Sequence, residues 1–542
     1  MAKSRKEKER DNLSKLLGVD LSQVEAALNS GVPTNSMGET SKPVPQMKGL
    51  AALMAQANKS TAAPPSKSKS EQADGDISGG NPRSREVASP FEPRVPPNSA
   101  VLACGGTDWE VIGRKDKEIK LRDGMNNLPG PTIVEALKGK HIQKIFTGPV
   151  ANHSVALDDQ GRPYVWGLND CGQLGLGKTA ASLAKAPAPV LLPGISGIKH
   201  VAVGKKHTVM VKEDGKVLGM GSAAQGQLGA LTGTGKQGVV PRPTEIQVGG
   251  MPRALAAAAG ADFTMAVCED GSLWSWGWSE FGQLGHGDDG EHNTADSSVK
   301  LTYRAERQPR RVEALRDAGV HVVQVSCGPH HSAAVGRDGS VWTWGSGDYG
   351  KLGHRRQEDL WTPTELEGLV AKHVACGHSH NAAVGWQKPP PGPRAAAWEP
   401  RGNGSLFMWG QCKKSGDAWM YPKPEHELSG WSIDAISLGA SHTVVAAEKC
   451  VISWGTTQCP YLQLGFGAGA PKSSVKPKKV DSLENFNITQ VACGYGHTLW
   501  LAEQTGAADA LPSWDVAAGE EGGSAAASSG GEEEEEEKDE EE

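Results

Sequence analysis

The chain has 542 residues and a formal net charge of −7, with 22% charged and only 5% aromatic residues and nine cysteines. No stretch approaches 18 apolar residues, and the start, Met1-Ala-Lys-Ser-Arg-Lys-Glu-Lys-Glu-Arg10, lacks the apolar run of a secretory signal, so neither a spanning helix nor a leader is expected. An odd number of cysteines with no Cys-x-x-Cys pair is neither a disulfide framework nor a zinc site, so a soluble protein of a reducing, intracellular compartment is expected.

Residues 1–98 are expected to be a mostly disordered tail. Leu13, Leu16, Leu17, Val24 and Leu28 recur at helical spacing, and Gly31 and Pro33 end the run, which predicts one short helix. That helix is either a transient turn or a partner-docking element. From Pro43 to Pro97 the Ser, Lys, Pro and Ala content cannot bury enough surface to fold.

From Val101 to Ala502 one pattern recurs seven times. A clear copy reads His207-Thr-Val-Met-Val, Glu213-Asp214-Gly215, Lys216-Val-Leu-Gly-Met-Gly221 and Gly226-Gln-Leu-Gly229. Another reads His331-Ser-Ala-Ala-Val, Arg337-Asp338-Gly339, Ser340-Val-Trp-Thr-Trp344-Gly345 and Gly350-Lys-Leu-Gly353. A regular repeat means that each unit buries its apolar face on its neighbours. Trp166 and its equivalents Met220, Trp276, Trp344, Trp409 and Trp454 are separated by 54, 56, 68, 65 and 45 residues, mostly longer than helical-pair repeats. Two alternating runs joined by Asp-Gly predict a hairpin, and runs such as Pro189-Val-Leu-Leu192 and Lys199-His-Val-Ala-Val203 bring the unit to four strands. The expected fold is all-β, a seven-bladed β-propeller over residues 99–502. The last unit supplies His497-Thr-Leu-Trp-Leu501 but no following strand that ends in Trp-Gly. Val101-Leu-Ala-Cys104-Gly105 is the missing piece, so an N-terminal strand should close the ring.

Six units carry histidine at one position (His153, His207, His331, His380, His442 and His497), and Phe263 stands there in the remaining unit. A catalytic group is needed once, so a recurring one reads as a buried, hydrogen-bonded part of the scaffold. The repeated tryptophans read as packing between units, and Cys327, Cys376 and Cys493, at one repeat position, as small apolar groups at strand ends. The Gly-Gln-Leu-Gly segments follow strands and open no helix with Lys-Ser/Thr, so they are turns rather than phosphate loops. No Ser/His/Asp or paired-carboxylate constellation stands out, and neither a metal nor a cofactor is expected.

Departures from the repeat carry more functional information than the repeat, because scaffolds hold loops and loops bind. Residues 286–312 lengthen one unit and contain Arg304, Arg307, Arg310 and Arg311. Residues 387–404 are a Pro-rich extension. After Trp409-Gly410 the usual turn is replaced by Gln411-Cys-Lys413-Lys414-Ser-Gly-Asp-Ala-Trp419-Met-Tyr421-Pro-Lys423. Residues 503–542 hold fifteen acidic residues and one basic residue, a net −14 that leaves +7 for residues 1–502. A solvated acidic tail on a mildly basic ring follows. Arg304, Arg307, Arg310, Arg311, Lys413, Lys414, Trp419, Tyr421 and Lys423 are therefore the expected partner-binding residues, for a nucleosomal, tubulin or GTPase surface of acidic character. The alternative is an ordinary solvated exterior.

The unit Gly-x-x-His-Thr/Ser, Asp-Gly, Val-x-x-Trp-Gly, Gly-Gln-Leu-Gly resembles the regulator of chromosome condensation repeat over about residues 100–502. Gly106-Thr-Asp-Trp-Glu-Val-Ile-Gly-Arg-Lys115, the lengthened Gly148-Pro-Val-Ala-Asn-His153, Met420-Tyr-Pro-Lys423, Gly430-Trp431 and Pro471-Lys-Ser-Ser474 resemble a mitotic, chromosomal-passenger subgroup. The resemblance implies a binder of small GTPases of the Rac, Arf or Ral type, with microtubules and chromatin as further partners and guanine nucleotide exchange as an activity. It also implies a nuclear and cytoplasmic protein found on chromosomes and the spindle in mitosis. Two alternatives from other classes are an adaptor without GTPase activity and an ultraviolet-B photoreceptor. The photoreceptor needs tryptophans where this chain has Lys205, Ala261, Pro329, His378, Ala440 and Tyr495.

Overall fold

In the computed structural model the described residues are 99–110, 112, 127–177, 183–229, 231, 238–294, 301–389, 399–413, 417–455, 460–504 and 508–515. The helix expected over Leu13–Leu28, Lys414 and the glutamate-rich end lie outside them.

The alternating runs form antiparallel four-stranded sheets, one per repeat. In the second unit the strands are Ile198–Val203, His207–Lys212, Val217–Ser222 and Val239–Glu245, paired in that order. The recurring turn positions fix the register: His207 faces Gly221, His153 faces Gly167, and His331 faces Gly345. The fourth and fifth units share the 17-residue strand Leu360–Cys376, which is the outer strand of one and the inner strand of the next. With that strand counted in both, the described strands other than the hairpin Glu291–Asn293 and Leu301–Tyr303 and the short Ser513–Trp514 group into seven sets of four.

The inner strand of each unit packs on that of the next. Ile488–Cys493 of the seventh packs back on Ile142–Phe146 of the first, so the units form a closed ring. Ser99–Gly105 pairs antiparallel with His497–Glu503 over its whole length, with Gly105 opposite His497, and Leu128–Val134 completes that sheet. The expected N-terminal closure is therefore present. Gly105 has φ +103°, and a Cβ there would lie 2.5 Å from the Gly496 carbonyl, so only glycine fits this pairing position. The chain continues past Ala502: Ser513–Trp514 adds in parallel to Ile133–Val134, and the Ile133 N–H donates to the Pro512 carbonyl at 2.8 Å.

The core lies between the units. Trp166, Trp276, Trp344, Trp409 and Trp500 are fully buried, each against side chains of a neighbouring sheet. Outer strands carry prolines: Pro187 and Pro189, Pro241 and Pro243, Pro309, Pro363, Pro422 and Pro424, and Pro129 and Pro131. Pro243, Pro309 and Pro363 seat against Gly175, Gly229 and Gly285 in the turn of the preceding unit.

Antiparallel connectivity gives the ring two rims. The histidine rim carries the loops that enter each second strand and leave each third. The opposite rim carries the Asp-Gly turns.

Candidate partner-binding face

The recurring histidines build one circuit beneath the histidine rim. His153 Nε2 lies 2.8 Å from Thr208 Oγ1 of the next unit, His207 3.1 Å from Thr264, His380 3.1 Å from Thr443, and His442 2.9 Å from Thr498. His497 closes the circuit on Ser154 at 2.8 Å, and His331 meets Asn381 Oδ1 at 2.7 Å. Thr208, Thr264 and Thr498 donate their single proton to the carbonyls of Gln173, Gln227 and Gln463, at 2.7 to 2.8 Å. Those hydroxyls must therefore accept from the imidazole, which places the ring proton on Nε2. Nδ1 of His153, His207, His331, His442 and His497 is correspondingly buried without a partner. Burial pushes the imidazoles down to about 3 for His153, His331 and His442, and about 4 for His207, His380 and His497. They are neutral near pH 7 and structural. Phe263 breaks the circuit once, opposite Ser332, which still donates to the Gln283 carbonyl at 3.0 Å.

Two of the segments that resemble the mitotic subgroup, residues 106–115 and 148–153, meet at this rim. The Asn152 amide, in the lengthened loop before His153, donates to the Ile112 carbonyl at 2.7 Å, and Trp109 sits edge-on against His497 at 5.2 Å. Trp109 and Ile112 are buried, so the segment after the closing strand seats over the histidine circuit.

The structure does not gather the four arginines. Arg304 precedes the outer strand Glu306–Arg311 at the histidine rim, whereas Arg310 and Arg311 pair with Ser275 and Trp274 toward the opposite rim. At about 3.3 Å per residue the series spans roughly 23 Å. Arg307 donates to the Ala224 carbonyl of the second unit at 3.3 Å, and Arg310 is exposed near His286. Arg311 is half-buried, with its Nε unpartnered. Glu280, Asp289 and Glu291 raise the Tyr303 hydroxyl, after the larger effect of burial, so acidic groups stand beside Arg304. In residues 286–312 Asp288, Asp289, Glu291, Asp296 and Glu306 match Lys300 and the four arginines, and the insertion is electroneutral. Counting cations alone hid this.

The second set does converge. Trp419, Tyr421 and Lys423 are two apart in the strand Trp419–Pro424 and so share a face, with Lys423 Nζ 5.4 Å from the Trp419 ring and 5.3 Å from the Tyr421 ring. Arg355 of the fourth unit lies 4.2 Å over Tyr421. Lys413 is exposed in the loop just before. Sequence reading named Trp419 and Tyr421 but missed two further rings of this face: Tyr349, Trp361 and Tyr421 are 48%, 39% and 38% exposed, and all lie in units four and five. Trp278 and Tyr303 stack edge-on at 6.0 Å in unit three. In a chain so poor in aromatics, exposed rings on one sector are the informative signal.

Among the described residues no group of His, Cys, Asp and Glu is placed to hold a metal, and no helix is long and apolar enough to cross a membrane. A closed ring of antiparallel sheets is a β-propeller scaffold. Residues 97–414 match the RCC1-like domain, and residues 450–501 match the regulator of chromosome condensation (RCC1) repeat. Protein RCC2 of Homo sapiens is 34% identical over 74% of this chain and 76% of its own length; the ultraviolet-B receptor UVR8 of Arabidopsis thaliana is 31% identical over 72% and 84%. The crystal structure of Prp20p from Saccharomyces cerevisiae superposes with a TM-score of 0.58 at 18% identity, covering 79% of this chain and 97% of that one. The chain belongs to the RCC1 family of propellers, and within it is similar to the RCC2 proteins.

Proposed function

We propose that the protein is a non-enzymatic regulator of cell division that binds a small GTPase of the Rac, Arf or Ral type on the histidine rim of units three to five. The observation that carries this reading is the convergence of Trp419, Tyr421, Lys423 and Arg355 beside exposed Tyr349 and Trp361, since aromatic and arginine side chains dominate binding energy at interfaces. Arg304, Arg307, Lys413 and Lys414 belong to the same proposal as charges that steer an acidic partner to this rim, and Arg310 and Arg311, toward the opposite rim, as charges that act on it at longer range. The likeness to RCC2 proteins supports chromosomes, the spindle and the nucleus as sites of action. Prp20p, whose crystal structure was determined together with its binding properties to Gsp1p and histones, supports a GTPase and chromatin as partners here; microtubules are proposed as a further partner on the sequence resemblance alone.

Nucleotide exchange, where it occurs, works by competition: a rigid surface that prefers the nucleotide-free switch conformation lowers the affinity for nucleotide. Pull-downs with nucleotide-free and nucleotide-loaded GTPases test this directly. An exchange factor retains the empty form, a sequestering protein retains a loaded form, and retention of neither leaves an adaptor. The photoreceptor reading is disfavoured because the positions that need tryptophan hold Lys205, Ala261, Pro329, His378, Ala440 and Tyr495.

A further inference from the structure

Arg355 occupies a backbone position that three other units fill with glycine and the second fills with Leu231. The N–H groups of Gly177, Gly287 and Gly467 donate to carbonyls of the next unit's outer strand, those of Pro241, Trp361 and Pro129, at 2.8 to 2.9 Å. The φ angles there are +74°, +87° and +98°. The Arg355 N–H makes the same bond to the Met420 carbonyl, at 2.8 Å and with φ +63°. A side chain in the left-handed region is strained, and such strain persists at sites where the side chain is needed.

The guanidinium of Arg355 stacks on Tyr421 and makes no ion pair with a described residue. It lines a cleft of about 470 Å³ on the seam between units four and five, together with Arg356, which pairs with Glu358 at 3.2 Å. Leu366 and Phe407 are buried apolar lining, and Glu365 and Glu367 also line the cleft. His354 is neutral, pushed down to about 4 by burial and hydrogen-bonded to Thr343 at 2.8 Å. The cleft therefore offers an unpaired cation with a planar fork of donors, an apolar lining and carboxylates.

We propose that this cleft binds an extended peptide segment of a partner protein, with an acidic side chain on Arg355, an apolar side chain against Leu366 and Phe407, and a basic side chain beside Glu365 and Glu367. The inference goes beyond the GTPase reading and shares only Tyr421 and Arg355 with that face.

Fluorescence anisotropy on the full chain tests it, with labelled acetyl-Asp-Glu-Gly-Leu-Phe-Gly-Lys-Lys-amide, the same peptide in reverse order, a version with glycine for Leu and Phe, and hexaglutamate as probes. One chain direction should bind with Kd on the order of 100 µM or tighter. The glycine version and hexaglutamate should bind at least tenfold more weakly. Arg355→Gly, which restores the residue found at three sister positions, should abolish binding while leaving the melting temperature unchanged or raised. Failure of both directions to bind, equal binding of hexaglutamate, or binding that survives Arg355→Gly overturns the proposal. So does a fall in melting temperature with Arg355→Gly, because it makes Arg355 a strut between units.

Discussion

Replacing His442 by Phe tests whether the histidine circuit fixes the acid limit of the ring. His442 is fully buried, lies 2.9 Å from Thr498, and is pushed down to about 3 by burial first and by His380 and His497 next. The unfolded value is about 6.5, so between pH 6.5 and pH 3 the unfolded chain binds the proton and the native ring does not. The stability this neutral histidine contributes is complete above pH 6.5 and is lost as pH falls through that window. At pH 5 the loss is about 1.5 × 1.36, or roughly 2 kcal/mol, for one histidine. Six such groups would lose on the order of 12 kcal/mol, comparable with the whole stability of an ordinary domain. The wild type should therefore be strongly destabilised as pH falls toward 5 and unfold below it. At pH 7.5 the His442→Phe variant should lose about 1 kcal/mol for the missing hydrogen bond. Between pH 7.5 and 5.0 it should lose about 2 kcal/mol less than the wild type, because the carboxylates common to both cancel. Phe263 shows that the repeat accommodates this side chain. Urea midpoints followed by tryptophan fluorescence at the two pH values measure the difference. An identical pH dependence in the two proteins would refute proton exclusion by the circuit.

Deletion of residues 1–95 should leave the melting temperature nearly unchanged. Deletion of 1–105 removes Ser99–Gly105, with fully buried Leu102, and should cost more than about 5 kcal/mol by exposing a sheet edge; equal melting curves would refute closure by that strand. Reversal of charge at exposed Arg310 should change stability by about 0.5 kcal/mol or less, and at half-buried Arg311, which stands near Asp270, by more. If these arginines steer an acidic partner, wild-type binding falls with salt, since exposed charges are screened over about 10 Å at 0.1 M, and the reversed variant binds more weakly; survival of GTPase, microtubule and DNA binding in folded variants reversed there and at Lys413, Lys414 and Lys423 would exclude both clusters. Ultraviolet-B illumination should leave the elution volume on a sizing column unchanged, and light-dependent dissociation would restore the photoreceptor reading.

The Asp-Gly turns, the recurring His and Trp-Gly positions and the strand missing from the last unit made the ring and its closure legible, because each is a local steric requirement repeated in the chain. The partner of each histidine was also on view: the residue that follows the repeat position is Ser154, Thr208, Thr264, Ser332, Asn381, Thr443 or Thr498, a hydrogen-bonding side chain every time. It serves the preceding unit, a pairing visible only once the units are side by side. The arginine series misled because a strand sends successive side chains to opposite faces and because acids between the arginines neutralise them. Trp419, Tyr421 and Lys423 were better placed by the same period of two. Ser513–Trp514 is too short to carry a periodicity, so the boundary expected at Ala502 fell before it.

The prolines on the outer strands decide how anything can attach to this molecule. A sheet edge normally invites another strand, but proline has no N–H to donate, and the outer strands carry it where an added backbone would pair. The exception is instructive: the chain's own Ser513–Trp514 pairs only at Ile133 and Val134, beyond Pro129 and Pro131. Main-chain templating by a second copy or an unfolded peptide is thereby disfavoured on the outer strands that carry proline. Recognition falls to side chains on the rims and in the seams, where a single substitution in one unit can alter a partner without disturbing the other six.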